Sequence, residues 1–246
     1  MSGTKKAAPA KASKASKASK ASKASKASKA SKARTAAGST APLVAPGVPS
    51  VVFLDANILI PEYLRSIFLE LSEAGFLQAN WSEGVLTETR RNLIDPDGRF
   101  RLDAVRTDRM LKLMRNQFPQ ALVHGYESLV PQFAGRTDPK DEHVAAGALK
   151  RSKAAHGWEI VALVTFNVTD LPESAFAGTK VHVVRPGPFL AELVNAEPGV
   201  PAVIDRMIKR FRKPKTTRVD LLNIMVNADC TEFAAALAEA WGLQPG

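Results

Sequence analysis

The stretch VVFLDANILIP, Val51 to Pro61, sets four apolar residues directly ahead of an aspartate. Four apolar residues without alternation read as a strand buried on both faces, the kind found in parallel sheets covered by helices. A carboxylate at the end of such a strand is costly to strip of water, so Asp55 needs a partner: hydrogen-bond donors, a cation or a metal. The local alternative is that Asp55 caps the helix-prone run that follows, because Asp is a favoured N-cap. The strand-turn-helix context leaves both readings open.

The rest of the chain repeats the alternation of strand and helix. Helical patterns span about Pro61 to Ala74, Ser82 to Leu93 and Phe100 to Phe118, the first closed by Gly75 and the second followed by the turn DPDG. A short apolar piece, ALVHGY, precedes a further helix start in TDPKDEHVAAGALKRSKAA, where Asp138 is a good N-cap and Pro139 suits the first helical position. EIVALVTFN and KVHVVRP read as two more strands. Together these predict an α/β fold with a mostly parallel central sheet, whose sites lie at the carboxyl ends of the strands. From about Gly187 onward four short helical patterns follow, either a small C-terminal bundle or a cover on the first domain. The expected organisation is a basic tail and linker over residues 1–49, an α/β domain over 50–190 and a helical region over 191–246.

Charge is concentrated in the tail. Residues 1–50 hold eleven of the 34 Lys and Arg and no acid, so the remainder carries 23 bases against 24 acids and is nearly neutral. The sequence pI of about 9.8 therefore describes the tail. From Lys11 onward the tail repeats Lys-Ala-Ser, a period that leaves no continuous apolar face on a helix, so it is expected to be disordered and to contact nucleic acid without sequence preference. A solubilising repeat with no dedicated role is the alternative. Cys230 is the single cysteine, which excludes an intrachain disulfide and a Cys-based zinc site. No stretch approaches 18 apolar residues and the N-terminus lacks a secretory core, so the expectation is a cytoplasmic protein without membrane contact.

Four polar positions stand out by context. Asp55 and Asn167 end strands, Glu88 lies in WSEGVLTETRRNL, and Asp141 shares a helix face with Val144, Ala145 and Ala148, the face that packs inward. Capping is the competing account of Asp141, and solvated surface acid that of Glu88, with Glu83 a rival for its role. Acids that converge without neutralising one another imply a divalent cation. Asp138, Asp170 and Thr165 are candidates for a supporting shell, His143 is expected to face solvent, and Trp81 is expected to staple a helix rather than stack on a base.

The ordered blocks FLDANILI, WSEGVLTETRRNL, DPKDEHVAAGAL and LVTFNVTDLP together resemble the PIN domain, the ribonuclease fold found in toxins of the VapC type. The resemblance covers about residues 50–190. It implies a three-layer α/β/α fold, a catalytic set of Asp55, Glu88, Asp141 and Asn167, and Mg²⁺ or Mn²⁺ held by Asp55 and Asp141. It also implies an RNA substrate cut to leave a 5′-phosphate and a 3′-hydroxyl, a cognate antitoxin protein and a homodimer. The chain departs from the family pattern in its lysine tail, and an Asn at position 167 makes the pocket less negative. Two rivals stand beside this reading. A haloacid-dehalogenase phosphatase would carry a second acid where Asn57 lies, which argues against it. A PIN-fold module that binds nucleic acid mainly through its tail, with weak or no catalysis, is the other.

Overall fold

The computed structural model describes residues 42–154, 157–212 and 214–243. The expectation of a disordered tail falls outside them. Strand β1, Ser50–Leu54, leads through a four-residue helix α1, Ala56–Leu59, into α2, Glu62–Glu73, with Pro61 at the break between the helices. On α2 the buried residues Leu64, Ile67, Phe68 and Leu71 recur at steps of three, four and seven, one apolar stripe. Gly75 ends that helix with φ +80°, and the backbone N–H of Phe76 donates to the carbonyl of Leu71 while that of Gly75 donates to Ser72. Only glycine takes this left-handed position without strain, which is why the helix stops there.

The chain continues through β2, Leu77–Ser82; α3, Glu83–Ile94; α4, Ala104–Gln117; β3, Leu122–Val123; and α5, Glu142–Ser152. A small antiparallel pair, β4 (Lys153–Ala154) and β5 (Gly157–Trp158), precedes β6, Val161–Val164, and β7, Val181–Val184. The main sheet is five-stranded and wholly parallel, in the order β3-β2-β1-β6-β7, with helices flanking it. The α/β class and parallel sheet read from the sequence are what the structure has. β2 was not expected: LQANWS carries Asn80 in its middle, yet Asn80 is buried, donating to the carbonyls of Val52 and Gln78 and accepting from the Arg151 guanidinium. Those bonds remove the cost of the amide, so a strand with a poor hydrophobic pattern is stable between two others in the sheet. Trp81, in the same strand, is fully buried edge-on to Phe118, which excludes base stacking by it.

Four helices close the chain: α6, Pro186–Ala196; α7, Val200–Arg210; α8, Arg218–Asn227; and α9, Thr231–Ala240. They pack on α2 and on one another. Phe68 of α2 stacks on Phe189 of α6, Tyr63 stacks on Phe211 just past α7, and Arg210 pairs with Glu70. Their apolar residues join the same core as the sheet. Cys230 is fully buried between α8 and α9, and burial, with Asp229 and Glu232 nearby, pushes its thiol up to about 12, far from the range of a reactive thiolate. Among the described residues no helix is long and apolar enough to cross a membrane.

α5 lies across the sheet, in contact with β1, β2, β3, β6 and β7. Its approach depends on Gly147, where a Cβ would come within 2.4 Å of the Phe53 ring. Fully burying a phenylalanine side chain is worth about 1.5–3 kcal/mol, so the close fit favours glycine despite its cost in a helix. In an open helix Gly→Ala stabilises by about 1 kcal/mol, whereas Gly147→Ala is expected to destabilise by about 1–3 kcal/mol through overpacking, read as a lower urea midpoint. A raised midpoint would show that α5 does not sit this close to β1.

Candidate metal centre

The strand order places a switch point between β1 and β6: β1 connects outward to β2 on one side, and β6 connects outward to β7 on the other. Crevices form at the carboxyl ends of parallel strands where connections diverge in this way. The register sets Leu54 beside Val164, and the backbone N–H of Asp55 donates to the carbonyl of Val164, so Asp55 and Thr165 emerge side by side.

Asp55 is 4% exposed and its carboxylate is well supplied with donors. Oδ1 accepts from the Ala56 N–H at 2.6 Å, and Oδ2 accepts from Asn57 Nδ2 at 2.6 Å and Thr165 Oγ1 at 2.7 Å. Thr165 Oγ1 also accepts from Asn57 Nδ2 at 3.0 Å and from the backbone N–H of Asn167 at 2.9 Å. Asn167 Nδ2 then donates to Asp141 Oδ2 at 2.7 Å. A continuous hydrogen-bonded path therefore runs from Asp55 through Thr165 and Asn167 to Asp141.

Asp141 is equally buried, at 4% exposure, but its role differs from the sequence expectation. Asp138 does not cap α5 and Pro139 is not its first residue. The segment turns at Asp138, whose Oδ1 accepts from the Lys140 N–H at 3.0 Å, and the regular helix begins four residues later, at Glu142. Asp141 occupies the N-cap position, yet its side chain makes no capping bond. The carboxylate is directed to Asn167 instead, which removes capping as the account of this residue. Asp55 does sit at the N-cap of α1, and there its bond to Ala56 is one of three.

Glu88 and Glu83 part company. Glu83 is exposed and pairs with Arg115, whereas the Glu88 side chain is 24% exposed and lies 3.4 Å from His143 Nε2, an ion-pair distance longer than a good hydrogen bond. His143 is half-buried against Gly84 and faces the acids rather than solvent, contrary to expectation. Burial alone would lower its pKa, but the interaction with Glu88 raises it. Asp170 pairs with Lys140 at 3.0 Å, which with a further hydrogen bond from Asn167 holds its carboxyl below the ordinary range, so it touches the hydrogen-bonded path at Asn167. Asn57 is the residue that sequence reasoning missed. Its amide bridges Asp55 and Thr165, and an Asn two residues after a strand-end Asp was the available signal.

Burial pushes Asp55 above the usual aspartate range against the opposing bond from Thr165, with the charge of Glu88 adding to the rise. Asp141 is pushed up to about 6, by burial first and then by the charge of Asp55. The acids therefore repel one another across a shared space, and among the described residues no Lys or Arg forms an ion pair with Asp55 or Asp141. Asp55 and Asp141, joined through Thr165 and Asn167, offer carboxylate oxygens, the chemistry that suits a hard divalent cation. Among the described residues no three His, Cys, Asp or Glu side chains are gathered closely enough to hold a metal ion by themselves. Two carboxylates completed by waters match the way Mg²⁺ is commonly held, since it keeps several of its waters. A cavity of about 320 Å³ lined by Gln78, Asn80, His124, Lys150 and Arg151 contains none of these groups. No protein-family model, curated protein or solved structure matches the chain.

Asp141 makes the stability of the fold depend on pH. Its folded pKa of about 6 exceeds the unfolded value of 3.8, so its contribution to stability is fully present below the unfolded value and is lost as pH rises through about 6. In EDTA, Asp141→Asn is expected to stabilise the protein at pH 7.5 by about 1–2 kcal/mol, after allowance for solvent reaching the cluster, and to change little at pH 4. Urea unfolding at the two pH values checks this; an equal effect at both would mean that Asp141 carries no electrostatic strain.

Proposed function

We propose that the chain is a metal-dependent endoribonuclease with a PIN-like three-layer fold, acting as the toxin of a VapBC-type toxin-antitoxin pair. The observation that carries the enzymatic part is the pair of buried, mutually repelling carboxylates, Asp55 and Asp141, at the switch point of a parallel sheet. The antitoxin and homodimer rest on the resemblance of the four sequence blocks.

Asp55 and Asp141 would hold Mg²⁺ or Mn²⁺. Bound there, the ion supplies a lowered pKa for water and charge neutralisation on a phosphate. The remaining work belongs to the chain. Thr165 and Asn57 orient Asp55 through its Oδ2, as outer partners of a metal ligand do. Asn167 orients Asp141 and, being neutral, lowers the charge of the pocket toward an incoming phosphodiester. Glu88, steadied by His143, is available to accept a proton from the attacking water. In-line attack on phosphorus breaks the bond to the 3′-oxygen, which leaves as a 3′-hydroxyl after protonation, and the downstream product keeps a 5′-phosphate.

Cleavage of a mixed RNA pool, with Mg²⁺ or Mn²⁺ against EDTA, tests this directly. The expected result is metal-dependent cutting with ligatable 5′-phosphate ends, abolished in a folded Asp55→Asn or Asp141→Asn protein. Full activity in either variant would sink the assignment. Salt-sensitive RNA binding without cleavage in any metal would favour the binding-module reading, in which the Lys-Ala-Ser tail dominates.

Thr165→Val keeps the shape of the side chain and removes one donor from Asp55. It is expected to weaken metal affinity or activity by about 10–100-fold, with the fold retained. Titration of Mn²⁺ dependence checks it, and an unchanged profile would reduce Thr165 to a structural residue.

A further inference from the structure

A groove of about 990 Å³ opens beside the acidic site, with Asn57 and Phe166 among its lining residues. Both are joined to the site: Asn57 donates to Asp55, and the backbone N–H of Phe166 donates to Asn57 Oδ1 at 3.3 Å. Its walls are the α1–α2 junction, the segment from Arg99 to Met110 that includes the start of α4, and the end of α8 through Asp229. At this volume the groove stands at the upper end of pockets that take one drug-sized ligand, about 300–1,000 Å³, so a segment longer than one nucleotide has room.

The lining has a consistent chemistry. Arg99 lies 5.7 Å from the centroid of the Phe100 ring, and Arg185 lies 5.7 Å from that of Phe166, so each aromatic has an arginine over its face. Phe100 is 37% exposed, uncommon for so large an apolar side chain. Among the described residues Arg99 and Arg106 have no ion-pair partner, whereas Asp229 on the opposite wall is already paired with Arg185. Glu62, the other lining acid, interacts with Arg65. The uncompensated charge of the groove is therefore positive, next to a site that is negative.

Aromatic faces interleaved with free arginines along a channel are the chemistry of single-stranded nucleic acid: bases stack on the rings and guanidinium groups meet phosphates. A duplex keeps its bases stacked on one another and offers no face to Phe100. An apolar helix from a protein partner would bury Arg99 and Arg106 without a counter-charge, which is costly. We propose that this groove binds the single-stranded RNA next to the cut phosphate, with Phe100 and Phe166 as base platforms and Arg99 and Arg106 as phosphate contacts. The adjacency to a cut phosphate rests on the nuclease reading; the binding of single strands does not. In this arrangement α8, outside the region that resembles a nuclease, supplies one wall of the substrate path.

The test is photocrosslinking of single-stranded RNA containing 4-thiouridine to the full-length protein in EDTA, with crosslinked peptides mapped by mass spectrometry. Crosslinks are expected within residues 99–106 and at 166, reduced about tenfold in a Phe100→Ala/Arg106→Ala double variant, since each lost stacking contact weakens binding by about that factor. Unlabelled single strands are expected to compete at least about tenfold better than duplex RNA. Crosslinks confined to residues 1–41, or undiminished in the double variant, would overturn the proposal, as would equal competition by duplex. Loss of groove crosslinks on adding a protein partner but not on adding RNA would assign the groove to that partner and also overturn it. Because no metal is present, the two readings separate. Groove crosslinks without metal-dependent cleavage in a parallel assay would keep the groove and remove the nuclease, and cleavage with crosslinks elsewhere would do the reverse.

Discussion

Two carboxylates are buried at the same point of the fold, and much of the local structure is arranged around their repulsion. An ionised aspartate removed from water is tolerated only when hydrogen bonds or an opposite charge replace its hydration. Asp55 receives three neutral donors, from Ala56, Asn57 and Thr165, which offset part of its desolvation, yet burial still outweighs them and raises its pKa. Asp141 receives a donor from Asn167, and its backbone position would have allowed a capping bond that it does not make. Lys140 pairs with Asp170 and His143 with Glu88, so each relieves Asp141 or Asp55 only by longer-range charge, too little to keep either from being pushed up. Negative potential is thus left at the carboxyl end of the sheet, at a cost in stability above pH 6.

The placement of that potential is a consequence of topology. β1 lies in the middle of a parallel sheet, and only there do two neighbouring strands end with their connections departing in opposite directions. The crevice that results has Asp55 on one strand end and Thr165 on the next, with Asp141 brought in at the start of α5. α5 holds its place because Gly147 lets it approach the Phe53 ring. A single missing side chain at the middle of that helix therefore supports the position of a carboxylate nearly two turns away.

The C-terminal helices are part of this arrangement and not an appendage to it. Tyr63 at the start of α2 stacks on Phe211 and hydrogen-bonds Thr216 at 2.9 Å, which ties the α1–α2 junction to the chain between α7 and α8. Arg65 holds the carbonyls of Leu59 and Ile60 from below, the first at 2.6 Å. The junction that follows Asp55 is therefore clamped from two directions. α8 is held in turn by a Thr217–Asp220 capping box and by Arg218, which pairs with Asp205 and lies over the Trp241 ring. A rigid wall beside the acidic site follows from these contacts.

Asp55, Asp141 and Asn167 were legible because their anomaly is local: a charged or amide group where an apolar strand ends, or on the inward face of a helix. The parallel sheet was legible for the same reason, since VVFL and VALV have no solvent-facing alternation. β2 was not, because what makes LQANWS a strand is Asn80 bonding across to β1 and to Arg151 of α5, partners 28 and 71 residues away. Helix periodicity alone turns His143 toward solvent, because it says nothing about Glu88 on α3 opposite. The resemblance picks Glu88 rather than Glu83, and nothing local to the helix shows that Arg115 pairs with Glu83 while His143 lies beside Glu88. By itself the sequence determined which groups cannot be left alone in the interior, since burial cost depends on residue type and local pattern. Only the tertiary structure decided which partner each of them found, because those partners come from distant segments that meet only when the sheet is assembled.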